Sequence, residues 1–384
     1  MWRSIASNSV SLLLVALFLV GGVILWGRGQ YEAAGPLTDA ICLKVESGSN
    51  FGRVSNELEQ EGAVANAALF RMGADSAGKT TLLKAGSYLI EPNASMAQIV
   101  DVVTRGGAST CGTEIIYRVG VNQVVAVVRE LDPATERFVE KAEFRLGDEA
   151  VPADYTRVRG DGDTRYRVSF AEGVTSWQVI NALGRLDLLE GPAGEVPPEG
   201  ALAPDSYELR AGDERSGIVA RMRAAQERRV GEAWAARDES VPLNSPEELI
   251  TLASIIEKET AVAEERRQVS SVFVNRLNRG MRLQTDPTVI YGITKGEGIL
   301  GRGLRQSELR RATPWNTYVI EGLPPTPIAN PGMASLLAAG QPDSTPFLFF
   351  VADGTGGHAF AETLDQHNAN VARWRQIEAE RSDN

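Results

Sequence analysis

Residues 10–26 form an apolar segment without a charged side chain, and this segment restricts the fold more than any other part of the sequence. A run of this kind can cross a membrane, although it lies at the short end of the roughly 17–25 residues that a span requires. Arg3 precedes it, and Trp26 and Arg28 close it as interfacial residues do. We therefore predict a single transmembrane helix over residues 10–27.

A cleaved signal peptide is the alternative interpretation of this segment. Its apolar core would be shorter than the run found here, and a small-residue cleavage site would follow it at once. The small residues 33–35 come only after the charged residues Arg28 and Glu32. An uncleaved anchor is therefore favoured.

The composition excludes several classes of function. The chain has 39 basic and 50 acidic residues, a balance that argues against nucleic acid as a partner. Two histidines and two cysteines, at no ligand spacing, predict no zinc site, and residues 160–163 lack the remaining ligands of a calcium loop. Those four residues are instead predicted to be the turn of a hairpin formed by residues 155–158 and 165–168. No phosphate loop or dinucleotide motif is present, so we expect neither a metal nor a cofactor.

Two glutamates lie in a segment that otherwise has the pattern of a buried helix. Ser245, Pro246 and Glu248 predict a capping box at the start of that helix. Apolar residues then recur at helical spacing, at Leu249, Leu252, Ala253, Ile256 and Ala263. Glu257 and Glu259 fall within this pattern. Burying a carboxylate is costly unless it is paired, or unless its raised pKa serves proton transfer.

Helix geometry separates these two carboxylates. At about 100° per residue they point about 200° apart, so they cannot flank one substrate bond together. A two-carboxylate glycosidase needs its pair on opposite sides of the scissile bond, and this helix alone does not provide that. At most one of them is therefore the catalyst, and the other has a structural or orienting role. The alternative is that both are half-solvated or paired with Lys258, Arg266 and Arg267.

Three long runs in the C-terminal part of the chain carry a resemblance to a known family. In order, they are LASIIEKETAVAEERRQVSSVFVNRLNRGMRLQTDPTVIYG, TPWNTYVIEGLPPTPIANPG and FLFFVADGTGGHAF. From around residue 249 to residue 374 the chain resembles the catalytic domain of the endolytic murein transglycosylases, membrane-anchored enzymes that cut nascent peptidoglycan strands. In that family the general acid/base is the second glutamate of the Glu-Lys-Glu motif. The resemblance thus assigns catalysis to Glu259, with Glu257 as the runner-up or as catalytic support.

The chemistry implied by the resemblance is cleavage of the β-1,4 bond from N-acetylmuramic acid to N-acetylglucosamine. Glu259, kept protonated by apolar neighbours, would donate a proton to the leaving oxygen. It would then act as base while the muramyl 6-hydroxyl attacks its own anomeric carbon, leaving a 1,6-anhydromuramyl end without consuming water. One carboxylate is sufficient because the nucleophile belongs to the substrate, which agrees with the helix geometry.

Polar residues that match motif positions of the family are expected to line the sugar groove: Gln284, Asp286, Asn316, Thr317 and Tyr318. Amide and hydroxyl groups suit sugars because they both donate and accept hydrogen bonds. The alternative is turn formation, since residues 285–287 and 313–316 are good turn formers. The proline-rich residues 322–327 are predicted to be an extended loop. His358 is predicted to be a hairpin histidine held by a backbone carbonyl, with an orienting role at the site as the alternative.

The same resemblance predicts how the remainder of the chain is organised into domains. Residues 40–110 resemble the LysM-like βααβ module that precedes the catalytic domain in this family. Residues 111–166 are an inserted β-rich segment that the family typically lacks. Residues 167–244 form a linker subdomain that ends in a charged amphipathic helix, and residues 245–378 form the catalytic domain.

Within the LysM-like module, alternating polarity predicts strands at residues 41–45 and 85–90. Residues 50–60 are predicted to be a helix that stops at Gly62. A second capping box, from Ser95 to Gln98, begins a helix that is expected to end at residues 106–107.

An arginine lies on each flank of the anchor, so the flanking charges do not decide its orientation. The cell-wall substrate implied by the resemblance decides it instead. Residues 1–9 are then a short cytoplasmic N-terminus, and the residues after Gly27 lie in the periplasm, outside the inner membrane. Cys42 and Cys111 are in this oxidising compartment, so a disulfide between them is favoured over two buried free thiols.

The sequence as a whole predicts an α+β ectodomain on a single membrane anchor, acting as an endolytic lytic transglycosylase. Its expected partners are peptidoglycan glycan strands, the membrane and, by resemblance alone, the peptidoglycan synthesis machinery. Two alternatives stay open. One is a muramidase that uses water with Asp286 as a second carboxylate, and the other is a membrane-anchored scaffold without catalysis.

Overall fold

The computed structural model of the protein describes residues 2–105, 110–148 and 150–382. Helices and strands are mixed along the chain, which confirms the predicted α+β class. Two compact units are formed. The first comprises Met1–Ile115, Val127–Phe144 and Asp148–Tyr166, and the second comprises Ile116–Ala126, Arg145–Gly147 and Arg167–Asn384.

The chain begins with the long helix α1 (Trp2–Glu32). Within the described residues, its segment Leu12–Glu32 is apolar and long enough to cross a membrane, and none of it is buried in the protein. The helix does not stop at residue 27. It continues to Glu32, where Arg28 Nε donates to Glu32 Oε1 at 3.1 Å, one helical turn away.

The first unit then adds a strand pair and three helices: β1 (Ile41–Val45), α2 (Phe51–Gln60), α3 (Ala67–Ser76), β2 (Gly86–Ile90) and α4 (Met96–Arg105). The two strands pair antiparallel, with Leu43 opposite Tyr88. Both of these side chains are buried in one core with the apolar faces of the three helices. The predicted strands and the predicted first helix of this segment are confirmed.

Side-chain caps fix where these helices begin. Asn50 accepts from the Arg53 N–H at 3.0 Å at the start of α2. At the start of α4, the Ser95 N–H donates to Gln98 Oε1 at 2.8 Å, and the Gln98 N–H donates back to Ser95 Oγ at 3.2 Å. This is the predicted capping box. The predicted helix end at residues 106–107 lies outside the described residues.

A disulfide joins Cys42 of β1 to Cys111, with 5.7 Å between the two Cα atoms. It links residues 69 positions apart in the first unit. Nearby, the carboxylate of Asp163 accepts from the Ser87 hydroxyl and pairs with Lys44 Nζ at 3.0 Å. Although burial of Asp163 opposes ionisation, these hydrogen bonds and the lysine charge lower its pKa overall.

A five-stranded sheet has the order β5-β4-β3-β6-β7 and is formed by β3 (Thr113–Val119), β4 (Val124–Asp132), β5 (Arg137–Arg145), β6 (Arg165–Phe170) and β7 (Ser206–Leu209). The hairpin predicted around residues 160–163 is wrong. Its first arm belongs to the short helix α5 (Ala153–Val158), in which Tyr155 and Val158 are buried. Apolar residues at this i, i+3 spacing fit one face of a helix as well as a strand, and packing decides between the two.

The second unit is mainly helical: α6 (Ser176–Arg185), α7 (Arg215–Ala235), α8 (Pro246–Glu259), α9 (Arg266–Asn278), α10 (Asp286–Thr294), α11 (Gln306–Leu309), α12 (Met333–Gly340) and α13 (Leu364–Ser382). A short antiparallel hairpin, β8 (Phe349–Ala352) and β9 (His358–Ala361), precedes α13. The proline-rich residues 322–327 are in neither helix nor strand, as predicted.

Helix α8 is the centre of the second unit. Ser245 caps it by accepting from the Glu248 N–H at 3.3 Å, and Pro246 is its first residue. The Glu248 carboxylate turns back to the Asn244 N–H at 2.7 Å, one residue before the cap, so the predicted capping box is formed only in half. A set of apolar residues along the helix is fully buried: Leu249, Leu252, Ala253, Ile255 and Ile256.

The end of α8 differs from the prediction. The apolar pattern predicts a helix that continues to Ala263. Instead, the backbone of Thr260 has a β conformation, and Ala263 lies in a separate 3₁₀ turn, Ala263–Glu265. Glu259 is therefore the last helical residue. Its side chain leaves the helix at its carboxyl end, where it can meet residues from other elements.

The disulfide is expected to stabilise the first unit. The double variant Cys42→Ser/Cys111→Ser should lose about 2–4 kcal/mol of unfolding free energy, because the unfolded chain regains the entropy of a long open loop. Urea unfolding of the full chain, followed by circular dichroism with and without a reductant, measures this loss. An equal midpoint for wild type and double variant under oxidising conditions would contradict the expectation.

Candidate active site

The two glutamates near the end of α8 lie in different surroundings, as their separation around the helix requires. Glu257 Oε2 accepts from the Gly332 N–H at 2.9 Å, and its Oε1 lies 3.7 Å from the Arg266 guanidinium. Glu259 Oε1 accepts from the hydroxyl of Thr285. The two carboxylates thus have separate partners and do not act on one another as a facing pair.

The carboxyl group of Glu259 has a raised pKa. Burial is the main cause, since it penalises the charged form, and the negative charge of Asp286 adds to the effect. The Thr285 hydrogen bond and the charges of His358 and Arg276 act in the opposite direction without reversing the shift. A carboxyl group in this state keeps its proton to a higher pH than a free glutamate, which is what a general acid needs.

A buried cluster of threonines holds Thr285 in place beside Glu259. The Thr285 N–H donates to Thr317 Oγ1 at 3.0 Å, and the Gln284 N–H donates to the Thr317 carbonyl at 3.1 Å. Thr288 Oγ1 lies 2.8 Å from Thr317 Oγ1. Gln284 has a φ of 50°, a left-handed conformation that is unusual for a residue other than glycine. This turn directs the following residues, Thr285 and Asp286, toward the end of α8.

Asp286 and Tyr318 form the second contact at this site. The Tyr318 hydroxyl donates to Asp286 Oδ1 at 2.6 Å. Burial, the hydrogen bond to Asp286 and nearby negative charge all raise the pKa of Tyr318, so its hydroxyl stays protonated and remains a donor. Asp286 is exposed at the start of α10, and its carboxylate interacts electrostatically with Glu259.

The predicted groove residues fall into two groups. Asp286 and Tyr318 lie beside Glu259, and Gln284 is exposed on the adjoining turn. Asn316 and Thr317 are fully buried. The Asn316 amide donates to three backbone carbonyls, those of Glu308, Leu309 and Arg311, and Thr317 bonds within the threonine cluster. These two residues hold the loop from within, and the turn-forming alternative describes them better than contact with a sugar.

Arg276 is a site residue that sequence reasoning missed. It is 7% exposed, and its guanidinium donates to the carbonyls of Leu348 at 2.7 Å and Leu283 at 2.5 Å. These bonds tie helix α9 to the segment that leads into Thr285, and the positive charge acts on Glu259. The signal in the sequence was an arginine that follows the apolar residues Val272, Phe273 and Val274 near the end of α9.

His358 begins β9, as the hairpin prediction required, but its partner is different from the one predicted. Its Nδ1 lies 2.7 Å from Glu265 Oε2, and its backbone N–H donates to Glu265 Oε1 at 2.9 Å. A carboxylate, and not a backbone carbonyl, therefore holds the ring. His358 also interacts electrostatically with Glu259, so it belongs to the surroundings of the site.

Glu257 belongs to a cluster of charges on another side of α8. Arg266 lies 3.7 Å from both Glu257 and Glu172, and the side chain of Glu257 is only 5% exposed. A Cβ atom at Gly332 would collide with the Glu172 side chain, which would then have to move. The cluster ties α8 to α9 and to the segment before α12.

Within residues 2–105, 110–148 and 150–382, no group of three or more histidine, cysteine or acidic side chains is placed to hold a metal ion. The site brings together the Glu259 carboxyl group, the Thr285 hydroxyl that donates to it, and the Asp286–Tyr318 pair beside them.

Comparison with known proteins identifies the family. The profile of the YceG-like family matches residues 43–373, which is most of the chain. The chain belongs to the YceG-like family.

Two curated relatives of this YceG-like protein share a name. An endolytic murein transglycosylase of Bacillus subtilis is 26% identical over 351 residues, covering 91% of this chain and 89% of the relative. One of Streptococcus pneumoniae is 24% identical over 345 residues, covering 86% of this chain but only 58% of the relative. A crystal structure of a YceG-like protein from Listeria monocytogenes is 24% identical, with a TM-score of 0.46 over 86% of this chain and 99% of that one.

The raised pKa of Glu259 predicts a pH-dependent effect on stability. A carboxyl group whose folded pKa lies above its ordinary value of 4.5 stabilises the fold when protonated, and this contribution is lost as the pH rises through the folded pKa. Glu259→Gln cannot ionise, so its unfolding free energy relative to wild type should increase as the pH rises above 4.5. Denaturant titrations between pH 4 and pH 8 test this, and a constant difference would contradict it.

Glu257 is expected to matter for stability. Glu257→Ala removes the acceptor of the Gly332 N–H and leaves Arg266 with one carboxylate fewer, which should cost about 1–3 kcal/mol. Glu264→Ala is the matched control, because Glu264 is exposed in the neighbouring 3₁₀ turn and its loss should stay within about 0.5 kcal/mol. Thermal or urea unfolding compares the two, and equal losses would show that the Glu257 cluster adds nothing.

Proposed function

We propose that this chain is an endolytic murein transglycosylase that cuts nascent peptidoglycan strands at the bond from N-acetylmuramic acid to N-acetylglucosamine. The observation that carries the proposal is the half-buried carboxyl group of Glu259, whose pKa is raised by burial and which ends the Glu-Lys-Glu motif. Membership of the YceG-like family and the shared name of its relatives support the same activity.

In the first step the Glu259 carboxyl group donates its proton to the glycosidic oxygen, and the bond from that oxygen to the muramyl anomeric carbon breaks. Burial serves this step because it keeps the acid form of Glu259 populated to a higher pH than in a free glutamate. The hydroxyl of Thr285 donates to Glu259 Oε1 and stabilises the carboxylate that remains. The leaving N-acetylglucosamine takes the proton on its 4-hydroxyl.

In the second step the Glu259 carboxylate removes the proton of the muramyl 6-hydroxyl, whose oxygen bonds to the anomeric carbon of the same sugar. Glu259 returns to its protonated form and no water is used. The negative charge of Asp286, held by the Tyr318 hydroxyl, favours the positive charge that develops on the sugar ring between the two steps. One proton-transferring carboxyl group is sufficient for the whole reaction.

The residues of the site have different proposed roles. Glu259 is the general acid and base, Asp286 and Tyr318 contact the reacting sugar, and Gln284 extends the binding surface. Asn316 and Thr317 position these residues from within the fold, and Glu257 supports the helix that carries the catalyst. No cofactor takes part.

The anchoring and the domain organisation are proposals as well. Residues 10–27 would cross the inner membrane once, with residues 1–9 in the cytoplasm and the catalytic domain, residues 245–378, in the periplasm. Residues 40–110 would be the LysM-like module, residues 111–166 the inserted segment and residues 167–244 the linker. The apolar segment Leu12–Glu32 of α1, none of which is buried in the protein, supports the anchor, and a periplasmic location suits the disulfide.

The synthesis machinery that elongates glycan strands is the proposed protein partner. An enzyme that is anchored beside the membrane and cuts new strands would end their elongation there. This proposal rests on the resemblance to the family, and co-purification of the full chain with glycan polymerases would test it.

The scaffold alternative is weakened by the charge pairing around α8. It required both helix glutamates to pair with Arg266 and Arg267. Arg266 does pair with Glu257, but Arg267 Nε lies 3.3 Å from Asp343. Glu259 is left with a threonine hydroxyl as its hydrogen-bond donor, an arrangement that a purely structural carboxylate in a buried position would not favour.

The activity test uses the full chain in detergent with purified, uncrosslinked glycan strands, and mass spectrometry of the fragments. Wild type should produce internal fragments with anhydro ends. Glu259→Gln should be slower by about 10²–10⁴-fold, because the general acid and base is lost. Glu264→Gln, an exposed change nearby, should cut like wild type.

Other outcomes would reassign the chemistry. Anhydro ends that persist in Glu259→Gln but disappear in Glu257→Gln would make Glu257 the catalyst. Reducing ends that depend on Asp286 in an Asp286→Asn variant would indicate the water-using muramidase. An absence of fragments from wild type, on strands that another lytic enzyme cuts, would leave the scaffold.

A further inference from the structure

A second groove lies in the second unit, apart from the residues around Glu259. Its volume is about 200 Å³, and three segments line it: the turn between β3 and β4, the exposed side of α6, and residues 297–299 beyond α10. None of its lining residues belongs to the Glu-Lys-Glu site or to its supports.

Hydrogen bonds hold the three walls of this groove together. Gln178 of α6 donates to the Val121 carbonyl at 2.6 Å, which fixes the turn between β3 and β4 against the helix. Thr175, the cap of α6, donates to the Gly296 carbonyl at 2.6 Å and fixes the third wall. Because these contacts exist in the free protein, a ligand would find the groove already formed, with little ordering cost.

The side chains that face the groove are an aromatic ring and several amides. The indole of Trp177 is half-buried, while Asn122 and Gln123 are exposed in the turn and Asn181 is half-buried one helical turn after Trp177. The side-chain amides of these three residues make no hydrogen bond to any other described residue. They are therefore available, with both donor and acceptor groups, to a ligand.

This set of groups matches a neutral, hydroxyl-rich and amide-bearing ligand. An aromatic face packs against the apolar side of a sugar ring, and the amides can bond its hydroxyl and N-acetyl groups. One basic residue, Arg185, and one acidic residue, Glu297, line the groove. Because both signs of charge are present, the groove does not select for an anion or for a cation. An N-acetylated sugar of a glycan strand fits this chemistry better than a peptide or a lipid does.

Helix α10 connects the groove to the candidate active site. Its first residue, Asp286, lies beside Glu259, and residues 297–299 follow shortly after its last residue, Thr294. The helix has nine residues, and at 1.5 Å per residue it spans about 14 Å. A ligand that occupies both places must therefore be an extended strand and not a single disaccharide at the cleavage point.

We propose that this groove is a second glycan-binding site, which holds the strand at a distance from the bond that is cut. The inference rests on the proposed function, from which it takes its substrate class. It adds a second site that makes the reaction depend on the length of the strand. Long strands reach both sites and gain affinity from the second one, while short strands reach the active site alone. The groove thus makes the enzyme prefer long strands and sets a lower limit on efficient substrates.

The kinetic test compares Trp177→Ala and Asn181→Ala with wild type on long and on short glycan strands. Each variant should raise KM for long strands about tenfold, which corresponds to the loss of about 1.4 kcal/mol of binding, with kcat unchanged and with short strands unaffected. Trp177→Phe keeps an aromatic face and should recover most of the affinity. Asn368→Ala, which removes an exposed amide from α13 outside the groove, is the matched control.

A binding test separates this proposal from the proposed function. Co-sedimentation of the full-length Glu259→Gln chain with insoluble peptidoglycan should weaken when Trp177→Ala or Asn181→Ala is added, whether or not wild type cuts strands. Unchanged binding and unchanged KM in both variants would overturn the second site. Equal losses on long and short strands would also overturn it, because they would indicate a general defect of the fold. Absence of anhydro ends from wild type would overturn only the proposed function.

Discussion

The removal of one carboxyl group from water is the constraint on which the candidate site depends. Glu259 ends helix α8, and burial raises its pKa. Such a group is tolerated only when its neighbours are fixed, since an unpaired carboxylate in this position would destabilise the fold. The buried threonine cluster, Arg276 and the aspartate–tyrosine pair supply that fixed surrounding. The rest of the unit holds these neighbours in place.

The two glutamates of the Glu-Lys-Glu motif illustrate how two positions in sequence acquire opposite roles. Glu257 lies close to an arginine and accepts from a backbone N–H. Glu259 is held in a site where burial and a second acidic residue, Asp286, favour retention of its proton, while the Thr285 hydroxyl that donates to it acts in the opposite direction. The separation follows from the helix rotation, while the difference in chemistry follows from the elements packed against each face.

Several local predictions failed where tertiary contacts outweighed the local pattern. The apolar spacing continued to Ala263, yet the helix ended at Glu259 because the chain turns at Thr260 to bring Glu265 toward His358. Residues 155–158 were predicted as a strand and form a helix, since their two apolar side chains can be buried in either way. The partner of His358 is a carboxylate 93 positions away, which no local pattern indicates.

The sequence alone was sufficient for the features that depend on local physics or on long motifs: the apolar helix, the capped start of α8, the strand pair of the first unit, and the family. It also determined that Glu257 and Glu259 cannot face one substrate bond, because helix rotation is set by the backbone. Only the tertiary structure decided which polar residues meet Glu259. Thr285, just before α10, and Arg276, in α9, reach Glu259 from other elements, and Asn316 and Thr317 are buried inside the fold. The sequence does not predict this, because burial and pairing depend on contacts between elements that are distant in sequence.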